Sequence, residues 1–260
     1  MFCHITRTWR GEPLQSYQMV VTLIGSTRAD DIVRDADILH LYKKAGVLRF
    51  LMGMENTDAN TLMAIRKGGS TTKDKEAIRL LRKHNIISLC TWASGFEEET
   101  DRDHLSALRQ LIAYDPDQVM SIHATPHRWT PFYHASKHRR IIEPDQRKWD
   151  YKHQVLETRN IPPWRVFLWV KLTEVCLQAR PKALMRVLAH PDRNVRHGMR
   201  WYTRMGRRVW LSEVIDFIAG KRLKSGPRLE DWVKSEGDFR EEALARPVAK
   251  SRPSADAIEA

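Results

Sequence analysis

Four short apolar segments, each followed by a helix-like segment, constrain the fold of this chain more than any other feature. They begin near residues 20, 47, 86 and 118 of a 260-residue sequence. Their spacing fits β–α units joined by right-handed crossovers. The segments are mostly apolar rather than alternating, which is typical of parallel strands covered by helices. The sequence therefore predicts an α/β fold, an incomplete (β/α) barrel of about four parallel strands, with an open doubly wound sheet as the alternative.

The segments between these strands carry the signals of helices. Acidic residues begin the first helix-like segment and Gly46 ends it, Gly68-Gly69 ends the second, and Pro116 follows the last one. Such residues are favoured at helix starts and ends because of the helix dipole and the unpaired terminal backbone groups. The pattern predicts helices over 29–46, 57–69, 70–85 and 97–116.

The chain changes character near residue 127, where helical spacing replaces the strand–helix alternation. The net charge of +12 lies entirely in residues 121–260, and seven of the nine Trp residues follow residue 128. Further helices are predicted there, including one over 143–158 ("EPDQRKWDYKHQVLET"). The predicted organisation is an atypical segment 1–18, a partial barrel 19–126, a helical domain 127–227 and a polar, frayed tail 228–260.

Composition excludes several classes of protein. There is no apolar run of about 18 residues, so no transmembrane segment is expected. The start of the chain lacks the features of a secretory signal, so a cytoplasmic location is expected. The basic, Trp-rich half suits nucleic acid, an anionic membrane surface or an acidic substrate, but it equally suits a solvated helical surface. Because no nucleic-acid motif accompanies the charge, nucleic acid is not expected as a partner.

The cysteines and histidines do not form a metal-binding pattern. The three cysteines, Cys3, Cys90 and Cys176, are far apart and never spaced as C-x-x-C, so neither a disulfide framework nor a metal site is predicted. His123 and His127 are four residues apart, but in a strand that spacing separates them by about 13 Å. No residue is predicted to bind metal, and Cys90 is predicted to be a packed thiol.

Polar residues at the strand ends predict a ligand site, because sites in parallel α/β folds form at the carboxyl ends of strands. Arg28 can bind a carboxylate in a bidentate manner, Glu55 can accept from hydroxyl or ammonium donors, and Gly95 lets a backbone approach closely. A fourth cluster comprises His123, Ala124 and Thr125. These groups suit a ligand with both a carboxylate and hydroxyl or amine groups.

Each of these residues also has a purely structural interpretation. In that interpretation Arg28 pairs with Asp30 or Asp31, Glu55 caps the following helix, and Gly95 forms a turn and nothing more. The acidic run after Gly95 is also what a helix start favours. The four strand ends together are more informative than any one of them.

Longer segments resemble a known family. "TRADDIVRDADILHLYKKAGVLRFLMGMENTDANTLMAIRKGG" and "GFEEETDRDH" resemble radical S-adenosylmethionine enzymes of the cobalamin-binding subgroup. Downstream, "TPHRWTPF" and "RHGMRWYTRMGRRVW" resemble its oxidative-cyclase branch, which closes the isocyclic ring of a magnesium porphyrin in bacteriochlorophyll synthesis. The resemblance covers about residues 19–218. Another cobalamin-type radical enzyme is the alternative within the family.

The resemblance implies roles for matched residues in binding S-adenosylmethionine. Arg28 matches an arginine facing its carboxylate, and Glu55 an acid that contacts its ribose or amine. "SGFEEE" matches a glycine motif that supports the adenine, which places Gly95 and Glu98 there. The backbone of Ala124 and Thr125 would meet the adenine as well. No residue is predicted to be catalytic.

The sequence departs from the family in one large respect. Family members carry a cobalamin domain and a C-x-x-x-C-x-x-C loop whose thiolates hold a [4Fe–4S] cluster, and this sequence contains neither. One hypothesis is therefore a portion of an oxidative cyclase, inactive alone, with a tetrapyrrole as the candidate substrate. Such a portion is a truncated product, the product of a damaged gene, or one part of a split enzyme whose separate N-terminal half carries the cluster. The other hypothesis is a non-catalytic module that binds S-adenosylmethionine, a tetrapyrrole or a protein partner.

Overall fold

A computed structural model describes residues 2–5, 21–54, 71–220, 222–223 and 226–232. The strands are β1 (Phe2–Ile5), β2 (Val21–Thr27), β3 (Val47–Gly53), β4 (Ile87–Ser94) and β5 (Gln118–His123). The described helices are α1 (Ala29–Arg34), α2 (Leu39–Lys44), α3 (Thr71–Lys83), α4 (Asp101–Tyr114), α5 (Pro131–Ala135), α6 (Pro163–Gln178), α7 (Pro181–Ala189) and α8 (Arg193–Ala219). The predicted helix over 57–69 lies outside the described residues.

The strands form one sheet in sequential order, β1-β2-β3-β4-β5. Strands β2 to β5 are parallel to one another, with Phe50 opposite Ser88 and Thr91 opposite Met120. Each crossover therefore advances by one strand in the same direction, as in a barrel, whereas a doubly wound sheet reverses its strand order. The predicted α/β fold with an incomplete (β/α) barrel of four parallel strands and a following helical region is confirmed.

Strand β1 was not predicted, since its segment has no clear pattern. It pairs antiparallel with β2, with Phe2 opposite Ile24 and Ile5 opposite Val21. This pairing satisfies backbone groups at the outer side of β2 that an open parallel sheet leaves without partners.

The main core lies between the sheet and the crossover helices. Helix α3 buries Ala77, Ile78 and Leu81 at helical spacing, and strand β4 buries Cys90 and Trp92. The fully buried Cys90 confirms the predicted packed thiol. Helices that follow the strands in a right-handed sense cover the same face of the sheet, which explains why the strands are continuously apolar.

The segment predicted as a helix over 143–158 is not helical, apart from one 3-10 turn at Gln146–Lys148. Local side-chain contacts replace the helical hydrogen bonds: the Asp145 carboxylate accepts the backbone N–H of Arg147, and the Asp150 carboxylate accepts that of Lys152. Asp side chains compete with helix formation in this way. The helical prediction for this segment was wrong because these turns were not recognised.

The helical region packs back onto the sheet. Helix α6 contacts α4 and β5, and Gly198 of α8 approaches Leu48 at the start of β3 so closely that an added Cβ would lie 3.0 Å from it. The first residues of the segment predicted as a tail also pack: Leu229 is fully buried, and its N–H donates to the carbonyl of Arg139. Among the described helices, none is both long and apolar enough to cross a membrane.

Candidate functional site

The carboxyl ends of the parallel strands lie at one edge of the sheet, which we call the carboxyl edge. Arg28 directly follows β2, Gly95 directly follows β4, and Ala124 and Thr125 follow β5. Glu55 follows β3 in sequence but lies outside the described residues. The order of the strands puts the Gly95 and Ala124 positions on neighbouring strands and Arg28 two strands away from Gly95, which corresponds to about 10 Å.

Gly95 forms a turn that requires glycine. Its φ angle is +89°, a conformation that residues with a side chain rarely adopt. Its N–H donates to Glu99 Oε2 at 2.8 Å, and its carbonyl accepts from Arg139 Nη2 at 3.0 Å. Both backbone polar groups of Gly95 are therefore hydrogen-bonded, the N–H to Glu99 of the same loop and the carbonyl to Arg139 of the helical region.

Glu99 is a buried acid whose carboxylate accepts hydrogen bonds from backbone N–H groups. Burial raises its pKa to about 7, although hydrogen bonds from the N–H groups of Gly95 and Phe96 act in the opposite direction. His104 Nε2 lies 3.4 Å from Glu99 Oε2, and the His104 ring stacks on Trp169. Burial lowers the pKa of His104 to about 4. The histidine is consequently neutral near pH 7 and does not neutralise the acid.

Arg139 connects the helical region to the site. Its side chain is buried, and in addition to the Gly95 carbonyl it donates to the carbonyl of Glu157, through Nε at 3.1 Å. Burial lowers the pKa of Arg139, with Glu97, Glu99 and Glu157 acting in the opposite direction. An arginine remains charged nonetheless, so a fixed positive charge lies beneath the Gly95 turn.

The end of β5 is joined to the end of β4. The N–H of Ala124 donates to the carbonyl of Ser94 at 2.8 Å, and Thr125 Oγ1 donates to the carbonyl of His123 at 3.0 Å. His123 is buried, and burial together with the charges of Lys171 and Lys152 lowers its pKa to about 3. Ala124 is half-buried, so its backbone borders the carboxyl edge without being sealed from it.

Arg28 is exposed at the other side of this edge. Its Nη2 lies 3.6 Å from Asp30 Oδ2, while Asp30 Oδ1 lies 2.9 Å from Lys73 Nζ. The pairing with Asp30 that the sequence left open is therefore present, but it is long and exposed. Because Asp30 is shared with a closer cation and the Arg28 side chain is 66% exposed, Arg28 can still bind an incoming carboxylate.

Glu98 points away from the Gly95 turn. Its carboxylate lies 2.5 Å from Arg159 Nη1, and its carbonyl accepts from the Asn160 side chain. Its role in binding stays a prediction. Sequence reasoning missed Glu99, the acid that contacts Gly95, because three consecutive glutamates before a helix offer no signal of which one turns inward. It also missed Arg139, which lies in a segment without periodicity.

The residues present do not fit a [4Fe–4S] cluster. The sequence has no C-x-x-x-C-x-x-C loop, and in the described ranges no three His, Cys, Asp or Glu side chains are grouped to hold a metal ion. Cys90 is buried inside β4, and burial raises the pKa of its thiol well above the usual value. A thiol in that position is neither accessible nor readily ionised.

Comparison with known proteins identifies the relatives of this chain. It is 60% identical over 222 residues to the anaerobic magnesium-protoporphyrin IX monomethyl ester cyclase of Synechocystis sp., a match that covers 85% of this chain and 44% of that protein. Over these residues the chain closely resembles that cyclase. The resemblance predicted from the strand-end and downstream motifs is thereby confirmed. The chain spans less than half the length of this relative.

Two more distant relatives match shorter parts of the chain. The cyclase of the same name from Cereibacter sphaeroides is 31% identical over 108 residues, covering 42% of this chain and 18% of that protein. The hopanoid C-3 methylase of Methylococcus capsulatus is 30% identical over 133 residues, covering 51% of this chain and 25% of that protein. No family model matches the chain.

Proposed function

We propose that this chain is the S-adenosylmethionine-binding and carboxyl-terminal portion of an anaerobic oxidative cyclase that acts on magnesium-protoporphyrin IX monomethyl ester. The observation that carries the proposal is the 60% identity over 85% of the chain to a cyclase of that name. The arrangement of Arg28, the Gly95 turn and Ala124 at one edge of the sheet supports it, because those groups match the parts of S-adenosylmethionine.

In this assignment Arg28 binds the carboxylate of S-adenosylmethionine, and Glu55 accepts hydrogen bonds from its ribose or amine. The turn at Gly95 supports the adenine, and the backbone of Ala124 and Thr125 borders it. The resemblance assigns Glu98 to the same motif, although its carboxylate pairs with Arg159 here. Glu99 and Arg139 act through Gly95 by holding its N–H and carbonyl. S-adenosylmethionine supplies the oxidising chemistry in this family, and the residues of this chain only bind and orient it.

The cluster and the cobalamin of the family would be held by a part of the cyclase that these 260 residues do not contain. The sequence has no thiolate set for the cluster, so this chain alone would bind S-adenosylmethionine without turning it over. The basic helical region is the candidate surface for a tetrapyrrole that carries a carboxylate. A non-catalytic module that binds S-adenosylmethionine or a tetrapyrrole is the second candidate, favoured by the same missing cysteine loop.

Calorimetric titration with S-adenosylmethionine tests the site. We expect Arg28→Ala to weaken binding about 10-fold or more, because a charged hydrogen bond to the carboxylate is lost, and Glu55→Ala to weaken it as well. Arg34→Ala is the matched control, since Arg34 pairs with Asp31 and Asp35 further along α1. Unchanged affinity in both Arg28→Ala and Glu55→Ala would rule out the assignment.

Anaerobic reconstitution with iron and sulfide tests whether this chain can hold a cluster by itself. We expect no cluster absorbance from this chain alone, and a stoichiometric four-iron cluster would contradict the proposal. Addition of a polypeptide that carries the missing cobalamin domain and cysteine loop distinguishes the two candidate functions. Cyclase activity in the mixture supports the enzyme portion, whereas binding without activity supports the non-catalytic module.

A further inference from the structure

Helices α7 and α8 present one continuous outer surface that combines arginines with large apolar side chains. Their inner faces share a small core, in which Val187 of α7 and Val195 and Met199 of α8 pack with Leu48 and Ile87 of the sheet. Leu48 and Ile87 lie at the starts of β3 and β4, so this core is at the amino end of the sheet. The outer faces of both helices are therefore directed away from the sheet, at the end opposite to the carboxyl edge.

The outer face of α8 is strongly basic over its first four turns. Five arginines recur at spacings of three or four residues, which places them on one side of the helix: Arg193, Arg196, Arg200, Arg204 and Arg207. Arg208 lies beside them. Residues 181–211 contain eight Lys and Arg and a single acid, Asp192, which pairs with Lys43. Arg186 faces inward, where it pairs with Asp115 and Asp117, so without it the surface carries an excess of six positive charges within two adjoining helices.

Large apolar side chains are exposed on the same surface. On α7 the exposed residues Leu184, Met185 and Leu188 form one stripe, and Met185 and Leu188 are each 61% exposed. On α8 Trp201 is exposed and borders the arginine face, whereas Met205 and Val209 are exposed further round the helix, away from the arginines. Soluble monomeric surfaces rarely cluster such side chains, and clusters of this kind mark interaction sites.

One contact shows that the two helices form a single surface. Arg200 of α8 donates from Nε to the carbonyl of Val187 at 3.1 Å and from Nη2 to that of Leu188 at 2.8 Å. Trp201 is the next residue and Arg204 lies one turn further along α8. The basic face and the apolar stripe of α7 are thus neighbours, and we call them together the α7–α8 surface.

We propose that the α7–α8 surface binds the face of a membrane that contains anionic lipids, with the two helices lying in the plane of the headgroups. The charge is complementary to anionic headgroups, which attract arginines close to the surface. The exposed Leu, Met and Trp side chains are those that interfacial helices bury at the boundary between headgroups and acyl chains. A nucleic acid matches the charge but would leave the apolar stripe of α7 in water. The carboxyl edge stays accessible because it is at the other end of the sheet.

Co-sedimentation of the full chain with vesicles tests this proposal. We expect binding to phosphatidylcholine vesicles that contain about 30 mol% phosphatidylglycerol, and at least about tenfold weaker binding to pure phosphatidylcholine. Added salt should weaken the binding, since electrostatic attraction to the surface is screened. Equal binding to both vesicle types, or no binding to either, would overturn the proposal.

A triple charge reversal, Arg204→Glu, Arg207→Glu and Arg208→Glu, locates the binding surface. These three side chains are exposed, so the variant should fold, which circular dichroism checks. The matched control is Lys75→Glu, Arg102→Glu and Arg109→Glu, which changes the net charge equally on exposed positions of α3 and α4. We expect the α8 variant to lose binding at least about tenfold and the control to retain most of it. Equal loss in both variants would contradict the assignment to this surface.

The apolar component is tested by Leu184→Ser with Leu188→Ser, which should weaken vesicle binding while leaving its salt dependence in place. Tryptophan fluorescence provides a second readout, because insertion of Trp201 shifts emission to shorter wavelength, and Trp201→Phe should remove that part of the shift.

Two other outcomes would overturn the proposal. One is self-association of the chain, without vesicle binding, that the α8 variant abolishes. The other is binding of duplex DNA without vesicle binding.

Discussion

At the amino ends of β4 and β5, Asp115 and Asp117 lie among three arginines, whereas at the carboxyl ends of the same strands Glu99 lies among backbone amides and a neutral histidine. Arg180 Nη1 and Arg186 Nη1 lie 2.7 and 2.9 Å from the Asp115 carboxylate, and Arg82 contacts it as well. Burial acts to raise the pKa of Asp115, but Arg186, Arg82 and Arg180 outweigh it and lower the pKa. The opposite balance holds for Glu99, whose pKa is raised.

The difference separates a cluster that joins two parts of the chain from the proposed ligand site. At the amino end the carboxylates pair with Arg186 of α7, Arg180 at its start and Arg82 of α3, so the cluster fastens the helical region onto the sheet. At the carboxyl end the buried charges hold a turn, while Arg28 remains exposed and only loosely paired. In a structural cluster each charge is paired within the protein, whereas at a ligand-binding edge some charges remain available to pair with the ligand.

The largest expected effect is at the amino end. Asp117 accepts from the N–H and the hydroxyl of Ser88 at 3.0 Å each, and Arg186 Nε lies 3.0 Å from its Oδ1. Because Asp117→Ala leaves these buried donors without an acceptor, we expect the free energy of unfolding to fall by about 3–5 kcal/mol. Urea denaturation measures this change.

The control for Asp117 is Asp31→Ala, which removes an exposed ion pair with Arg34. It should cost less than about 1 kcal/mol. If the two variants are equally stable, the arginine cluster does not fasten the helical region, and the contrast between the two ends of the sheet disappears.

A pH-dependent effect is expected at the carboxyl end. Because the pKa of Glu99 is raised to about 7 in the folded protein and lies near 4.3 in an unfolded chain, the folded state binds more protons between these values. The contribution of Glu99 to stability therefore falls as the pH rises from about 4.3 to 7 and is constant above that range. Glu99→Gln keeps an acceptor for the Gly95 N–H but does not titrate.

The stability of Glu99→Gln relative to wild type should therefore increase with pH, by on the order of 2–3 kcal/mol between pH 4.5 and 7.5. Urea denaturation at a series of pH values measures the difference. His104 contributes a slope of opposite sign in both proteins, because its pKa is lowered to about 4, so it largely cancels in the comparison. Glu98→Gln, on the exposed neighbour, should change stability by less than about 1 kcal/mol. A difference that does not vary with pH would show that Glu99 is ionised like an exposed acid.

The smallest expected effects come from replacing glycine by alanine, which should lower the stability at Gly95 and raise it at Gly206. Gly95→Ala should destabilise the protein by about 1–2 kcal/mol, because φ is +89° there and a Cβ is unfavourable in that conformation. Gly206→Ala lies inside α8, where nothing is within 4 Å of an added Cβ, and should stabilise by about 1 kcal/mol.

Thermal unfolding measures both variants. Gly95→Ala should also weaken S-adenosylmethionine binding, since the turn borders the proposed adenine site, and Gly206→Ala should not. If Gly95→Ala lowers stability but leaves the affinity for S-adenosylmethionine unchanged, the Gly95 turn has a structural role only.

Much of the fold could be predicted because its signals are local. The apolar runs and the helix-ending glycines predict the parallel strands and the order of the elements, and Gly95 and Ala124 are predicted at strand ends that the structure indeed joins. The non-helical segment after Glu143 could not be predicted in the same way, because its charged and apolar residues imitate helical spacing. Its conformation depends on carboxylates that turn back onto nearby N–H groups.

The sequence by itself determined the kind of fold and the resemblance to the cyclase, and it predicted the edge of the sheet at which a ligand would bind, since periodicity and motifs are properties of short segments. Only the tertiary structure decided which of three consecutive glutamates is buried and which arginine holds the Gly95 carbonyl. Arg139 and Gly95 are 44 residues apart in sequence. Desolvation and contacts between such distant residues arise only when the helical region packs onto the sheet, so no local pattern encodes them.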